Sequence, residues 1–147
     1  MKKVIVYIFV VLSLNYSYAQ DSPSILPDLD EIESYTGICL ENTLDYSQMI
    51  QCNNEAIKKY DSAIENLLNN LKNTLSANQY KKLKKSQIQW EKYYNNYNNF
   101  LLNELSKKEL SSYDVTRYGI KRLLKYNRAV ELNSLICDIY YYKNQSN

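Results

Sequence analysis

From Ser47 to Tyr142 the chain carries one glycine, Gly119, and no proline. Tight turns lean on these two residue types, so a stretch this long without them has few places to reverse. Long helices are what remains, and the apolar positions keep their period. Met49, Cys52, Ala56, Tyr60, Ala63, Leu67, Leu71 and Leu75 fall three or four residues apart, as one face of a helix requires. Ser47 is a plausible N-cap for this first helix. Ser76 and Gln79 then form the two ends of a capping box. The second helix carries Tyr80, Leu83, Gln87, Trp90, Tyr94, Tyr97, Leu101 and Leu105 on its stripe, widened by Ile88, Tyr93 and Phe100. After a break over 106–112, a third helix runs from about Tyr113 to Tyr142. Its apolar set is Val115, Tyr118, Leu123, Tyr126, Val130, Leu132, Ile136 and Ile139. Gly119 inside it costs about 1 kcal/mol of helix propensity, which leaves a kink or a close helix contact open there. The expected fold is all-α: an antiparallel bundle of three long helices over 47–143, with a tail at 144–147.

The N-terminus reads differently. Met1-Lys2-Lys3 is followed by an apolar run from Val4 to Leu14, with small residues at Ser17 and Ala19. That is the layout of a secretory signal peptide over 1–19, cut before Gln20. The apolar run would span roughly 16 Å as a helix, about half of a bilayer's hydrocarbon core. No cysteine stands at the cut to take a lipid anchor. The expected destination is the periplasm or the exterior of a bacterial cell.

Loss of Lys2 and Lys3 leaves sixteen bases against sixteen acids, and these are unevenly spread. Residues 21–45 hold seven acids and no lysine or arginine, while 46–147 carry a balance of +7. With Pro23, Pro27 and Gly37, residues 20–46 read as an extended acidic lead-in, with room for a short helical turn around 28–35. An acidic head on a basic body implies internal pairing, two surfaces with different partners, or plain solvated charge.

Much chemistry is excluded. The chain has no histidine, which removes Ser-His and Cys-His pairs and histidine-based zinc sites. Its three cysteines, 39, 52 and 137, match no metal spacing, and no phosphate-cradling glycine loop exists. Asp61 and Glu65, four apart on a helix, are too ordinary a pair to argue a glycosidase. The expectation is a non-enzyme with no cofactor.

A resemblance lies in Gln48-Met49-Ile50-Gln51-Cys52, followed by Ala56, Tyr60-Asp61 and Ile64. Next come Leu83, Ser86-Gln87-Ile88-Gln89-Trp90 and Tyr93, then Arg128-Ala129-Val130-Glu131-Leu132. This order resembles the LprI-like lysozyme-inhibitor family, small exported helical proteins of bacteria, over roughly 39–135. Met49, Asp61, Gln87, Trp90, Tyr93, Arg128 and Leu132 are the matching motif positions, expected in the core. Relatives carry an arginine and an aspartate where this chain has Tyr94 and Asn95. They carry cysteines at Asn98 and near Ile120. Loss of both together implies that those two pair in relatives, which leaves Cys39–Cys52 as the bridge here and Cys137 as a free thiol. The antiparallel arrangement agrees, because it sets Cys137 on the order of 25–30 Å along the bundle from Cys52.

The resemblance implies inhibition of lysozyme by non-catalytic binding, or binding of another envelope protein. Asp28, Asp30, Glu31 and Glu33 are candidates to grip the rim of a basic enzyme, while a basic side chain enters its carboxylate-bearing cleft. The +7 body opposes such a partner. Two basic patches support a different reading, a module for anionic glycans or lipid headgroups. Lys81, Lys82, Lys84 and Lys85 cluster at the start of the second helix, and Arg117, Lys121, Lys125 and Arg128 share a face of the third. The plain alternative for both is a solvated face, and no specific nucleic-acid partner is implied. Residues 86–100, SQIQWEKYYNNYNNF, combine aromatics with amides as a sugar platform would. Their helical phase instead turns Gln87, Trp90, Tyr94, Tyr97 and Leu101 inward, with Tyr93 and Phe100 on the flank, so burial of Trp90 and the tyrosine rings is expected.

Overall fold

The computed structural model describes residues 29–105 and 111–145. The expected signal segment 1–19, the first part of the lead-in with Asp28, most of the break before the last helix, and residues 146–147 lie outside them.

The described chain is all-helical, but with four helices: α1 (Leu29–Glu41), α2 (Tyr46–Thr74), α3 (Ala77–Leu105) and α4 (Ser112–Gln145). The addition is α1, which covers the short helical turn left open around 28–35 and continues it to Glu41, through residues expected to be extended. Leu29, Ile32 and Thr36 fall on one stripe and are buried, while Asp30 and Glu31 stand in the first turn, where the helix dipole favours acids. A helix of 13 residues is marginal alone, so packing decides its formation.

Caps set the other boundaries. The side chain of Asp45, rather than Ser47, caps α2 by accepting from the Gln48 amide at 2.9 Å. Between α2 and α3 the capping box forms as the sequence predicts. The Ser76 amide donates to Gln79 Oε1 at 3.0 Å, and the Gln79 amide donates to Ser76 Oγ at 3.4 Å. At the start of α4 half of the device recurs: the Asp114 carboxylate reaches back to accept from the Ser111 amide and hydroxyl at 3.2 and 3.3 Å, while its own amide donates to the Ser111 carbonyl. Gly119 does not interrupt α4, which is one continuous helix, and a Cβ at that position would meet Asn53 Oδ1 at an ordinary 4.0 Å.

Side-chain pairs give the directions. α1 runs antiparallel to α2, since Cys39 meets Cys52 and Glu33 meets Tyr60. α2 and α4 run parallel, with Asn53 bonded to Arg122, Asp61 paired with Lys125, and Thr74 bonded to Lys143. α3 runs antiparallel to α4, through Gln87 with Arg128 and Tyr94 with Lys125. The core lies among α1, α2 and α4. Its members are Leu29, Ile32, Ala56, Tyr60, Ala63, Ile64, Leu67, Leu71, Ala129, Leu132 and Ile136. The alanines let α2 and α4 approach closely, and Tyr126 meets Tyr60 edge-on at 5.7 Å.

α3 contributes only the partly buried Leu83 to that core. Gln87, Tyr94 and Leu101 on its inner face are buried. The expectation for its other rings is corrected: Trp90 is half-buried, and Tyr93 and Phe100 are 52% and 54% exposed. With Tyr97 they form a stacked ladder along the outside of the helix, ring centroids 5.8 and 6.1 Å apart. Among the motif positions, Gln87, Arg128 and Leu132 are buried, Met49 is half-buried, and Asp61 and Tyr93 are exposed.

Candidate functional site

The end of the molecule where α1 turns into α2 is covalently and electrostatically distinct. Cys39, in the last turn of α1, is bonded to Cys52, in the second turn of α2, with their Cα atoms 5.9 Å apart. Cys137 is a half-buried free thiol. The bridge closes the segment that contains the turn Asn42–Asp45, and hydrogen bonds hold that turn further. Asn42 donates backbone and side-chain N–H groups to the Ile38 carbonyl, at 3.2 and 2.8 Å. Thr43 Oγ1 donates to Gln48 Oε1 at 2.5 Å and accepts from the Asp45 amide at 3.1 Å. Beside the disulfide lies a shallow cleft of about 410 Å³, lined by Tyr35, Asn42, Gln48, Gln51 and Glu55 among others.

The α1–α2 segment is acidic: residues 29–57 hold six acids and no base, and the first base is Lys58. The bases that reach this end come from the first turns of α4, where Arg122 meets Asn53. Lys59 lies over the Tyr35 ring at 4.2 Å. Asp30 and Glu31 are exposed at the start of α1, and Glu41, Asp45 and the apolar Leu44 are exposed around the turn. Glu33 is committed internally: Arg122 Nη1 donates to its carboxylate, and Tyr60 Oη donates to it at 2.6 Å. Burial first, and then this hydrogen bond, push the Tyr60 phenol well above the ordinary tyrosine range. Arg122 also donates from Nε to Asn53 Oδ1 at 3.1 Å, so one guanidinium ties α1, α2 and α4 together.

The basic stripe of α4 is also drawn inward. Arg117 donates to Asp114 at 3.3 Å and lies over Tyr118. Burial acts to raise the Asp114 carboxyl, but Arg117 and Ser111 together hold it below the usual range. Lys121 lies over Tyr118 at 4.7 Å. Lys125 pairs with Asp61 at 2.5 Å and covers Tyr94 at 4.3 Å and Trp90 at 5.2 Å. Arg128 is 4% exposed and donates to Gln87 Oε1 at 2.9 Å and to Glu131 at 2.7 Å. It joins no solvent-facing stripe. Lys81, Lys82, Lys84 and Lys85 do face solvent, in the first turns of α3. α3 begins where α2 ends, and α2 has 29 residues, so this quartet stands on the order of 40 Å from the acidic turn.

The structure therefore divides the candidate residues into a solvent-facing acidic set, a solvent-facing basic end, and an inward-drawn set of Glu33, Arg117, Lys121, Lys125 and Arg128. A family model described as Lysozyme inhibitor LprI matches residues 39–132, from the first disulfide cysteine to a core leucine of α4. The chain belongs to the LprI lysozyme-inhibitor family. No curated protein and no solved structure matches it. Within this LprI-family fold, Arg122 and Leu44 were not legible as site residues. Arg122 has a signal in retrospect: it is in helical phase with Ala129 and Ile136, a base in line with an apolar stripe. Among the described residues no helix is long and apolar enough to cross a membrane, and no cluster of metal-ligating side chains occurs.

Proposed function

We propose that the chain is an exported inhibitor of lysozyme that works by binding the enzyme rather than by chemistry. The observation that carries this reading is the coincidence of the family match with a disulfide-braced pair of helices in which 29 successive residues, 29–57, contain no base. Lysozymes of the cationic type present a positive rim around a cleft whose catalytic groups are carboxylates. An acidic segment complements that rim and speeds encounter, and one charge of the +7 balance beyond residue 45, that of Arg122, is paired back with Glu33 of the acidic segment. Export follows from the signal segment at 1–19, and an oxidising compartment suits the bridge. The test is lysis kinetics of a cationic lysozyme with the purified chain at low and moderate salt. Inhibition that weakens with salt is expected, and none at micromolar excess refutes the reading.

The exposed quartet Lys81, Lys82, Lys84 and Lys85 supports a second reading, that the opposite end holds anionic glycans or lipid headgroups of the envelope. Binding to anionic vesicles or teichoic-type polymer that falls steeply with added salt is expected on that reading. Binding indifferent to salt removes it.

A further inference from the structure

Leu44 is 93% exposed, the most exposed of the large apolar side chains among the described residues. It occupies no flexible tail. It stands in the turn between two helices that a disulfide joins, with Asn42, Thr43 and Asp45 on either side all engaged in hydrogen bonds. A leucine in this position does nothing for the fold, because it touches almost none of it. Folding leaves its whole side chain in water, and the turn holds it there at little further entropic cost. Such pre-organised apolar exposure is what a docking element needs, since ordering losses on binding have already been met by folding.

Resting on the inhibitor reading above, we propose that Leu44 is the side chain that enters the cleft of a cationic lysozyme. Glu41 and Asp45 flank it and face the basic rim. The chemistry favours an apolar tip over the alternative of a basic one. Residues 29–57 contain no base to place there, and a carboxylate would meet the enzyme's own carboxylates. The catalytic acid of such enzymes is held protonated by an apolar pocket, which an aliphatic side chain fits and a charged one does not. The neighbouring Tyr35, Ile38 and Tyr46 are also exposed, so the tip rises from a partly apolar surround rather than standing alone. The disulfide belongs to the device: opening it frees the turn and raises the entropy lost on docking.

The experiment compares the purified chain with Leu44→Ala, Leu44→Asp and, as a control at the far end, Tyr142→Ala. It reads the inhibition constant, direct binding by calorimetry, and the thermal midpoint. Leu44→Ala is expected to weaken inhibition about tenfold to hundredfold, as loss of one buried leucine does, and Leu44→Asp further still. The midpoint stays unchanged in both, and Tyr142→Ala inhibits as the parent does. Parent-like inhibition by Leu44→Ala overturns the proposal and leaves the inhibitor reading standing. Binding by the parent chain without inhibition, lost in Leu44→Ala, shows that Leu44 docks outside the cleft and overturns both the placement of the tip and the inhibitor reading. No binding by the parent chain at low salt overturns both.

Discussion

α2 and α3 are both 29 residues long, both capped, and both carry an inward stripe at helical spacing, yet only α2 builds the core. The stripe of α2 is aliphatic and partly small: Ala56, Ala63, Ile64, Leu67 and Leu71 let α1 and α4 close upon it. The stripe of α3 is amide and aromatic, and it holds its neighbours at a distance. A cleft of about 300 Å³ separates α2 from α3, lined by Asp61, Glu65, Tyr80, Gln87, Glu91 and Lys125 among others. Another of about 470 Å³ opens between α3 and α4 beside Leu83, Ser86, Arg128 and Leu135. What joins α3 to the rest is largely polar: the Arg128–Gln87 hydrogen bond, and the cations of Lys125 and Arg128 over Trp90 and Tyr94. The lesson is that equal periodicity does not imply equal burial. The size and polarity of the side chains in phase decide how close two helices come.

Four substitutions bear on this contrast. The largest effect belongs to α2. Leu67→Ala, at a fully buried position, is expected to cost about 2–5 kcal/mol in urea denaturation, and a loss below 1 kcal/mol would remove α2 from its central role. Next is the tether of α3. Arg128→Leu leaves Gln87 Oε1 without its donor and is expected to cost about 1–3 kcal/mol. Hydrogen exchange should quicken in α3 while α2 stays protected, and equal quickening in both would mean that the two helices open as one unit.

Tyrosine ionisation sharpens the comparison further. Burial raises the phenols of both Tyr60 in α2 and Tyr94 in α3, and Glu33 raises Tyr60 again. A phenol that ionises near 10 when unfolded, and higher when folded, favours folding fully below pH 10 and withdraws that support as pH rises further. Tyr60→Phe should cost about 1 kcal/mol at neutral pH, yet escape a loss of up to about 1.4 kcal/mol between pH 10 and 11. Alkaline denaturation curves that fall in parallel would contradict this. The smallest effect belongs to the ladder on the outside of α3. Tyr93→Ala is expected within about 0.5 kcal/mol of the parent, and a loss above 1 kcal/mol would show that the face is covered.

Much of this architecture was legible residue by residue. The α2 stripe from Cys52 to Leu71 and the Ser76–Gln79 box follow from local physics alone, since spacing and capping act within a turn or two. The pairing of Cys39 with Cys52 came from a family resemblance and not from periodicity, and the structure has it. Of α1 only a short turn around 28–35 was legible, because what holds the whole helix is remote. Its stripe is short, its acids read as solvation, and the arginine that pairs with Glu33 is 89 positions away. Leu44 was missed because one leucine in a polar turn is not a pattern.

The sequence by itself determined that this protein is helical and where its long helices begin, which are matters of spacing and of local hydrogen bonds. Its motifs determined the family and, through the family, the cysteine pairing. Tertiary structure alone decided which charges remain for a partner. It spent Glu33, Lys125 and Arg128 on internal contacts and left the acidic turn with Leu44 at one end and four lysines at the other. Whether a charge is free depends on what lies within about 4 Å of it, and those neighbours arrive from distant parts of the chain.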